Sequence, residues 1–274
     1  MTKRRIKRRP HKIKAKKSLL KKPLFWRIVL IAILLAEIFY LVFFFDYFQI
    51  KNIVISGNEK AATSDIEALV SEKIKRPILF FNSQSIFLIS PNAISNSIID
   101  NFPNVGLVKV QRRLINTLVI NIKERVPSVV FCDSEASEKC FFLDETGVAF
   151  EETADTVADF IVIRQSEKKE IVLGKEAAKK DIVDSIIKIK KTLKDNFNVD
   201  IKEANIASDE RMNILTGEGW NVYFNVSSNM DLQITKLKLL LEKEIPQESR
   251  GALDYIDLRF ERAYICDKSS PCSK

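Results

Sequence analysis

The spacing of apolar side chains changes character along this chain. From Ile28 to Phe45 the sequence is an apolar run in which Glu37 is the one charge. Four later stretches repeat apolar residues every three to four positions, and much of the remainder alternates apolar with polar. A run of about 20 apolar residues spans a bilayer as a helix. A period near 3.6 predicts amphipathic helices, and a period of two predicts half-buried strands.

After the apolar run, "FQIKNIVISGNEK" (48–60) predicts a strand, with Gly57-Asn58 as its turn. "TSDIEALVSEKI" predicts a helix with Ile66, Leu69, Val70 and Ile74 on one face. Ser64-x-x-Glu67 reads as its capping box. A second helix is predicted over 90–103, with Ser90 as N-cap and Pro91 at N1. Strands follow at 104–114 and 117–127, giving the order β-α-α-β-β, whose sheet supplies a face for both helices.

The second half predicts strands at 128–132, 140–144, 148–152, 159–165 and 170–174, then a long helix over 175–197. Three strands, "DIKEANI", "RMNILTG" and "WNVYFNV", precede a helix over 229–245. "YIDLRF" (255–260) predicts one more strand, with Ile256, Leu258 and Phe260 on one face and Tyr255, Asp257 and Arg259 on the other. The residues after it carry no strand pattern, so this strand is expected to be the last and to form the sheet edge. The fold class expected is α+β: one membrane helix, a β-α-α-β-β domain and a strand-rich β domain with two helices.

Charge sharpens the membrane reading. Residues 1–22 hold 12 Lys or Arg and no acid, whereas the other 252 residues hold 32 basic and 36 acidic side chains. A basic segment before an apolar span predicts a cytoplasmic N-terminus and a body on the far side. The run is longer than a signal-peptide core and lacks a small-x-small site after it, so an uncleaved anchor is expected. The basic tail has no interleaved aromatics or nucleic-acid motif, so no nucleic-acid partner is expected. Glu37 inside the span reads either as a tolerated, protonated carboxyl or as a contact with a partner's membrane helix.

Cys132, Cys140, Cys266 and Cys272 all follow the span, where disulfides are permitted. Three pairings exist, and proximity favours Cys132–Cys140 and Cys266–Cys272. Neither spacing is that of a metal site. His11 is the only histidine and precedes the span, so the body has no Ser-His-Asp or Cys-His pair, no HExxH and no histidine metal cluster. It also lacks GxGxxG, Walker A and GxSxG sequences. No enzyme activity, cofactor or metal is expected.

Five stretches in order resemble the FtsQ/DivIB family of bacterial cell-division proteins. They are the basic tail with one span, "FQIKNIVISGNEK", "FPNVGLVKVQRRLINTLVINIKERVP" ending in Glu-Arg-x-Pro, the Leu-Asp-x-x-Gly of "FFLDETGVAF", and "YIDLRF". Asn104 stands where the family favours Trp, Ile115 where Pro is usual, and "VYFNV" lacks the common Leu-Gly. The cysteine loop and "DKSSPCSK" match no family feature. The resemblance implies a basic tail (1–23), a membrane helix (24–46), a POTRA domain (48–125), an FtsQ/DivIB-type β domain (126–264) and a tail (265–274). It implies a non-catalytic divisome scaffold at the septum that joins FtsB/FtsL-type partners, which regulate the septal synthase FtsW–FtsI. Partner contact is expected by strand addition at "YIDLRF", through Tyr255, Asp257, Arg259 and Phe260, with Tyr264 beyond it and Arg211 on a neighbouring strand. Other divisome proteins are expected at the POTRA domain or membrane helix. The alternative is a POTRA protein assisting secretion or envelope-protein assembly.

Overall fold

The computed structural model describes residues 22–78, 81–132, 139–154, 160–166, 170–208 and 210–269. The chain forms two compact units: Met1–Asn52, Ile74–Ile89 and Arg112–Leu118 in the first, Ile53–Lys73, Ser90–Gln111 and Val119–Lys274 in the second. The basic tail and Cys272 lie outside the described residues.

In the first unit, helix α1 (Pro23–Phe44) has no buried residue and is long and apolar enough to cross a membrane. A short antiparallel hairpin, β2 (Arg76–Ile78) with β3 (Phe81–Ser83), was not expected from sequence. The helix before it stops at Ile74, and Pro77 lies in β2 rather than extending that helix. Ile50, Ile74, Ile86, Ile89 and Leu118 are the buried apolar residues among those described in this unit.

The second unit holds most of a three-stranded sheet, order β1 (Asn52–Ser56), β5 (Thr117–Glu124), β4 (Val105–Arg113), and the helices α2 (Thr63–Ile74) and α3 (Pro91–Asn101). Ile66, Val70, Ile94, Ile98, Val105, Val108, Ile120 and Ile122 are buried here. Ser90 caps α3 by accepting from the Ala93 amide, as its sequence predicts. The capping box at Ser64 does not form. Ser64 lies inside the first turn of α2 and bonds Asp65, while the Ala62 carbonyl accepts the first helical amides. Gly57 is obligatory: its φ is +83°, and a Cβ there would lie 2.1 Å from the Ile122 carbonyl oxygen.

Among the described residues the larger sheet has nine strands. Its members are β6 (Val129–Cys132), β7 (Cys140–Leu143), β8 (Ala149–Thr153), β9 (Val162–Gln165), β10 (Ile201–Ser208), β11 (Arg211–Thr216), β12 (Asn221–Phe224), β13 (Leu253–Asp257) and β14 (Tyr264–Asp267), in the order β14-β13-β12-β11-β10-β9-β6-β7-β8. β9 pairs parallel to β10, and β12 parallel to β13. Parallel neighbours need a crossover, supplied by α4 (Lys180–Phe197) and α5 (Met230–Lys243). Val183, Ile186, Ile189 and Leu193 of α4 and Ile234, Leu237 and Leu241 of α5 join Met212, Ile214, Val222, Phe224, Ile256 and Trp220 in one core. A disulfide joins Cys132 and Cys140, facing partners in the β6–β7 hairpin. Cys266 is also disulfide-bonded.

Two expectations in this half fail for one reason. Residues 170–174 are not a strand, and α4 begins at Lys180 rather than at 175. The backbone from 174 to 178 is committed to β8 and the turn before it. Gly174 donates to the Ala149 carbonyl at 2.7 Å, the Ala149 amide donates to Lys175 at 3.1 Å, and Ala177 donates to Gly147 at 2.9 Å. Gly147 has φ +82°, and a Cβ on it would sit 1.9 Å from the Ala178 oxygen.

Candidate partner-binding edge

A sheet edge carries unpaired amides and carbonyls and attracts further strands unless something covers it. The nine-stranded sheet has two ends. At one end the 172–176 segment takes both backbone groups of Ala149, the first residue of β8. At the other end β14 is the outermost strand among the described residues, and its outer side has no paired strand.

This corrects the sequence expectation. "YIDLRF" is not the edge: β13 pairs with β12 on one side and with β14 on the other. Residues 264–267, of which 265–267 are expected from the sequence to begin a tail, supply that extra strand. Asp257 stands opposite Tyr264, Ile256 opposite Ile265, and Tyr255 opposite Cys266. The alternation also stops early. Ile256 and Leu258 are buried, and the Leu258 amide extends the parallel pairing by donating to the Tyr223 carbonyl at 2.9 Å. Regular strand ends at Asp257, however, and Phe260 is 53% exposed. Lys236 of α5 holds this connection by donating to the Glu261 carbonyl at 2.8 Å and to that of Phe260 at 3.3 Å.

The remaining predicted residues converge on Tyr223, which the sequence reading did not single out. The Tyr255 ring stacks on Tyr223 at 5.1 Å. The Arg211 guanidinium lies over the Tyr223 ring at 4.5 Å, and that of Arg259 at 5.7 Å. Arg259 forks onto Asp257, Nε to Oδ1 at 2.9 Å and Nη2 to Oδ2 at 2.6 Å, and this covers a carboxylate expected on the solvent side. That bond is the main reason the Arg259 pKa rises above its ordinary value. Burial pushes the Tyr223 hydroxyl up; Arg211 opposes this, and Asp254, Tyr255 and Asp257 add to it.

The ladder ends at two exposed rings. Phe260 meets Tyr264 edge to face at 5.6 Å, and Tyr264 is 58% exposed. Ile265, also exposed, is a further edge residue that sequence reading missed. Isolated apolar side chains on a surface are ordinary, but the Phe260–Tyr264 pair on one face of this strand and Ile265 on the other offer side-chain contacts beside the backbone to an extended segment.

Comparison with known families agrees with this architecture. Residues 48–125 match the POTRA domain of FtsQ type, and residues 136–259 match the C-terminal domain of the cell division protein FtsQ/DivIB. A search of curated proteins finds no match. The two matched segments cover most of the chain, and the chain therefore belongs to the FtsQ/DivIB family of cell-division proteins.

Proposed function

We propose that this chain is a single-pass scaffold of the divisome, with its N-terminus in the cytoplasm and its body outside, acting at the division septum. FtsQ/DivIB is a non-catalytic scaffold family, so the working part is a surface. The scaffold links early and late division proteins. It holds an FtsB/FtsL-type partner by strand addition, and so regulates septal peptidoglycan synthesis. The observation that carries the reading is the outer side of β14, which no strand among the described residues pairs, beside the Phe260–Tyr264 ring pair.

Strand addition draws affinity from main-chain hydrogen bonds and specificity from flanking side chains. The test is co-purification of the full chain with an FtsB/FtsL-type partner from the same membranes. Tyr264→Ala with Phe260→Ala should lower partner affinity by about tenfold or more while the melting temperature stays unchanged. Undiminished binding by that folded double variant would sink the edge assignment.

A further inference from the structure

The end of α1 is built into the first compact unit. Ser85 Oγ donates to the Val42 carbonyl at 2.7 Å, Gln49 Nε2 to the Phe43 carbonyl at 3.0 Å, and Ser83 Oγ to that same oxygen. Gln49 Oε1 accepts from the Gln84 amide at 2.7 Å, and both serines are buried. The last carbonyls of a helix have no partner within it; here Ser83, at the end of β3, Ser85 and Gln49 take two of them. Residues 83–85 therefore stand level with the end of α1. A helix of 22 residues is about 33 Å long against a hydrocarbon core of about 30 Å. Level with its end means level with the lipid headgroups.

The groups tied to that level are unusual for a soluble surface. Phe45, Tyr47, Phe87 and Leu114 are exposed, Leu114 by 71%. Phe48 links three of them, with ring distances of 6.4 Å to Phe45, 5.6 Å to Tyr47 and 5.3 Å to Phe87. The Asn116 carbonyl accepts from the Lys51 and Asn52 amides, which ties the turn carrying Leu114 to the segment leaving the helix. Lys75, Arg76, Arg112 and Arg113 of the same unit are exposed. Asp46 is the one acid among the unit's described residues beyond α1, and it is paired with Lys51 at 2.8 Å.

We propose that this face docks on the membrane surface from which α1 emerges. Phe45, Tyr47, Phe87 and Leu114 enter the interface, and the basic side chains meet anionic lipid headgroups. Amphipathic rings and aliphatic side chains beside Lys and Arg are the composition such an interface selects. A bilayer is favoured over a protein occupant because the helix end fixes this face at headgroup level and the charge is of the sign that anionic lipids attract. The inference rests on α1 spanning the bilayer.

The test places the full chain in nanodiscs of 7:3 phosphatidylcholine to phosphatidylglycerol with brominated acyl chains. Trp26 lies in α1 and reports its insertion, while Trp220 is fully buried and gives a constant background. Trp26→Phe then serves as the parent for Leu114→Trp and Phe87→Trp. Both new tryptophans should be quenched at least half as strongly as Trp26. Adding Arg76→Glu and Arg113→Glu should cut the quenching at position 114 at least twofold. If Trp26 is quenched while positions 87 and 114 match the parent, the docking proposal is overturned and the span stands. If Trp26 itself is not quenched, the span fails and the docking proposal with it.

Discussion

Arg125 and Asp144 form an ion pair in which each side chain is only 10% exposed. The two residues belong to the Glu-Arg-x-Pro and Leu-Asp-x-x-Gly stretches, 19 positions apart. Arg125 also donates to the Pro103 carbonyl at 3.1 Å. Asp144 additionally accepts from the Thr146 hydroxyl at 2.7 Å, the Thr146 amide at 2.9 Å and the Val148 amide at 3.1 Å. The neighbouring Glu124 accepts from the amides of Glu59, Lys60 and Ala61 at 2.8–3.0 Å. These stretches thus fasten the turn after β1, the end of β5 and the β7–β8 turn.

Removing one member of a buried pair leaves the other charge uncompensated. Arg125→Ala should therefore destabilise the fold by about 3 kcal/mol, measured by chemical denaturation. Asp144→Asn also loses the pair but spares the turn's amide contacts in part, so it should cost less. Equal stability of Arg125→Ala and the native chain would refute the structural role.

Acid should act through the same residues. Burial raises the pKa of Glu124, but the three backbone amides outweigh it and hold the carboxyl below its usual range. Burial likewise raises that of Asp144, and Thr146, Arg125 and the Val148 amide outweigh it. Carboxylates with lowered folded-state pKa values stabilise fully above the unfolded value, near about 4. Their contribution is lost as pH falls through the lower folded values. Melting temperature should drop steeply below about pH 4, and Glu124→Gln with Asp144→Asn should flatten that drop.

The Cys132–Cys140 disulfide closes a loop of sequence separation 8. On a chain-entropy basis, a loop of this size stabilises by about 2–3 kcal/mol. Replacing both cysteines with alanine should lower stability by about that amount without changing partner binding, because the bridge lies toward the opposite end of the sheet from β14.

Fold and binding should separate within the ladder. Asp257→Ala leaves the partly buried Arg259 without its carboxylate and should cost about 2 kcal/mol, seen as a lower melting temperature. Tyr264→Ala exchanges an exposed ring and should leave the melting temperature within about one degree.

The strand pattern of "YIDLRF" was plain in the sequence, and its place beside β12 was not. Edge status is decided by "YICD", whose Tyr264, Ile265 and Cys266 show no alternation and follow a short irregular connection. Tyr223 becomes central only once β12 lies parallel to β13, a pairing created by α5 and invisible locally. The apolar segment 170–174 read as a strand because local composition does not reveal that Gly174 and Lys175 at its end bond the backbone of Ala149. By contrast α1, α3 and α5 were legible, since an apolar run or a cap beside a 3.6-residue period is a local signal. Ser90 caps α3 as its sequence predicts, whereas Asn229, expected inside the helix, proves to be the cap of α5.

Hydrogen–deuterium exchange on the chain alone and with the outside segment of an FtsB/FtsL-type partner tests the central claim most directly. Strand addition predicts slowed exchange at residues 264–267 on binding, with the amides of β8 unchanged. Partner binding that leaves 264–267 exchanging at the free rate, with protection elsewhere, would contradict it.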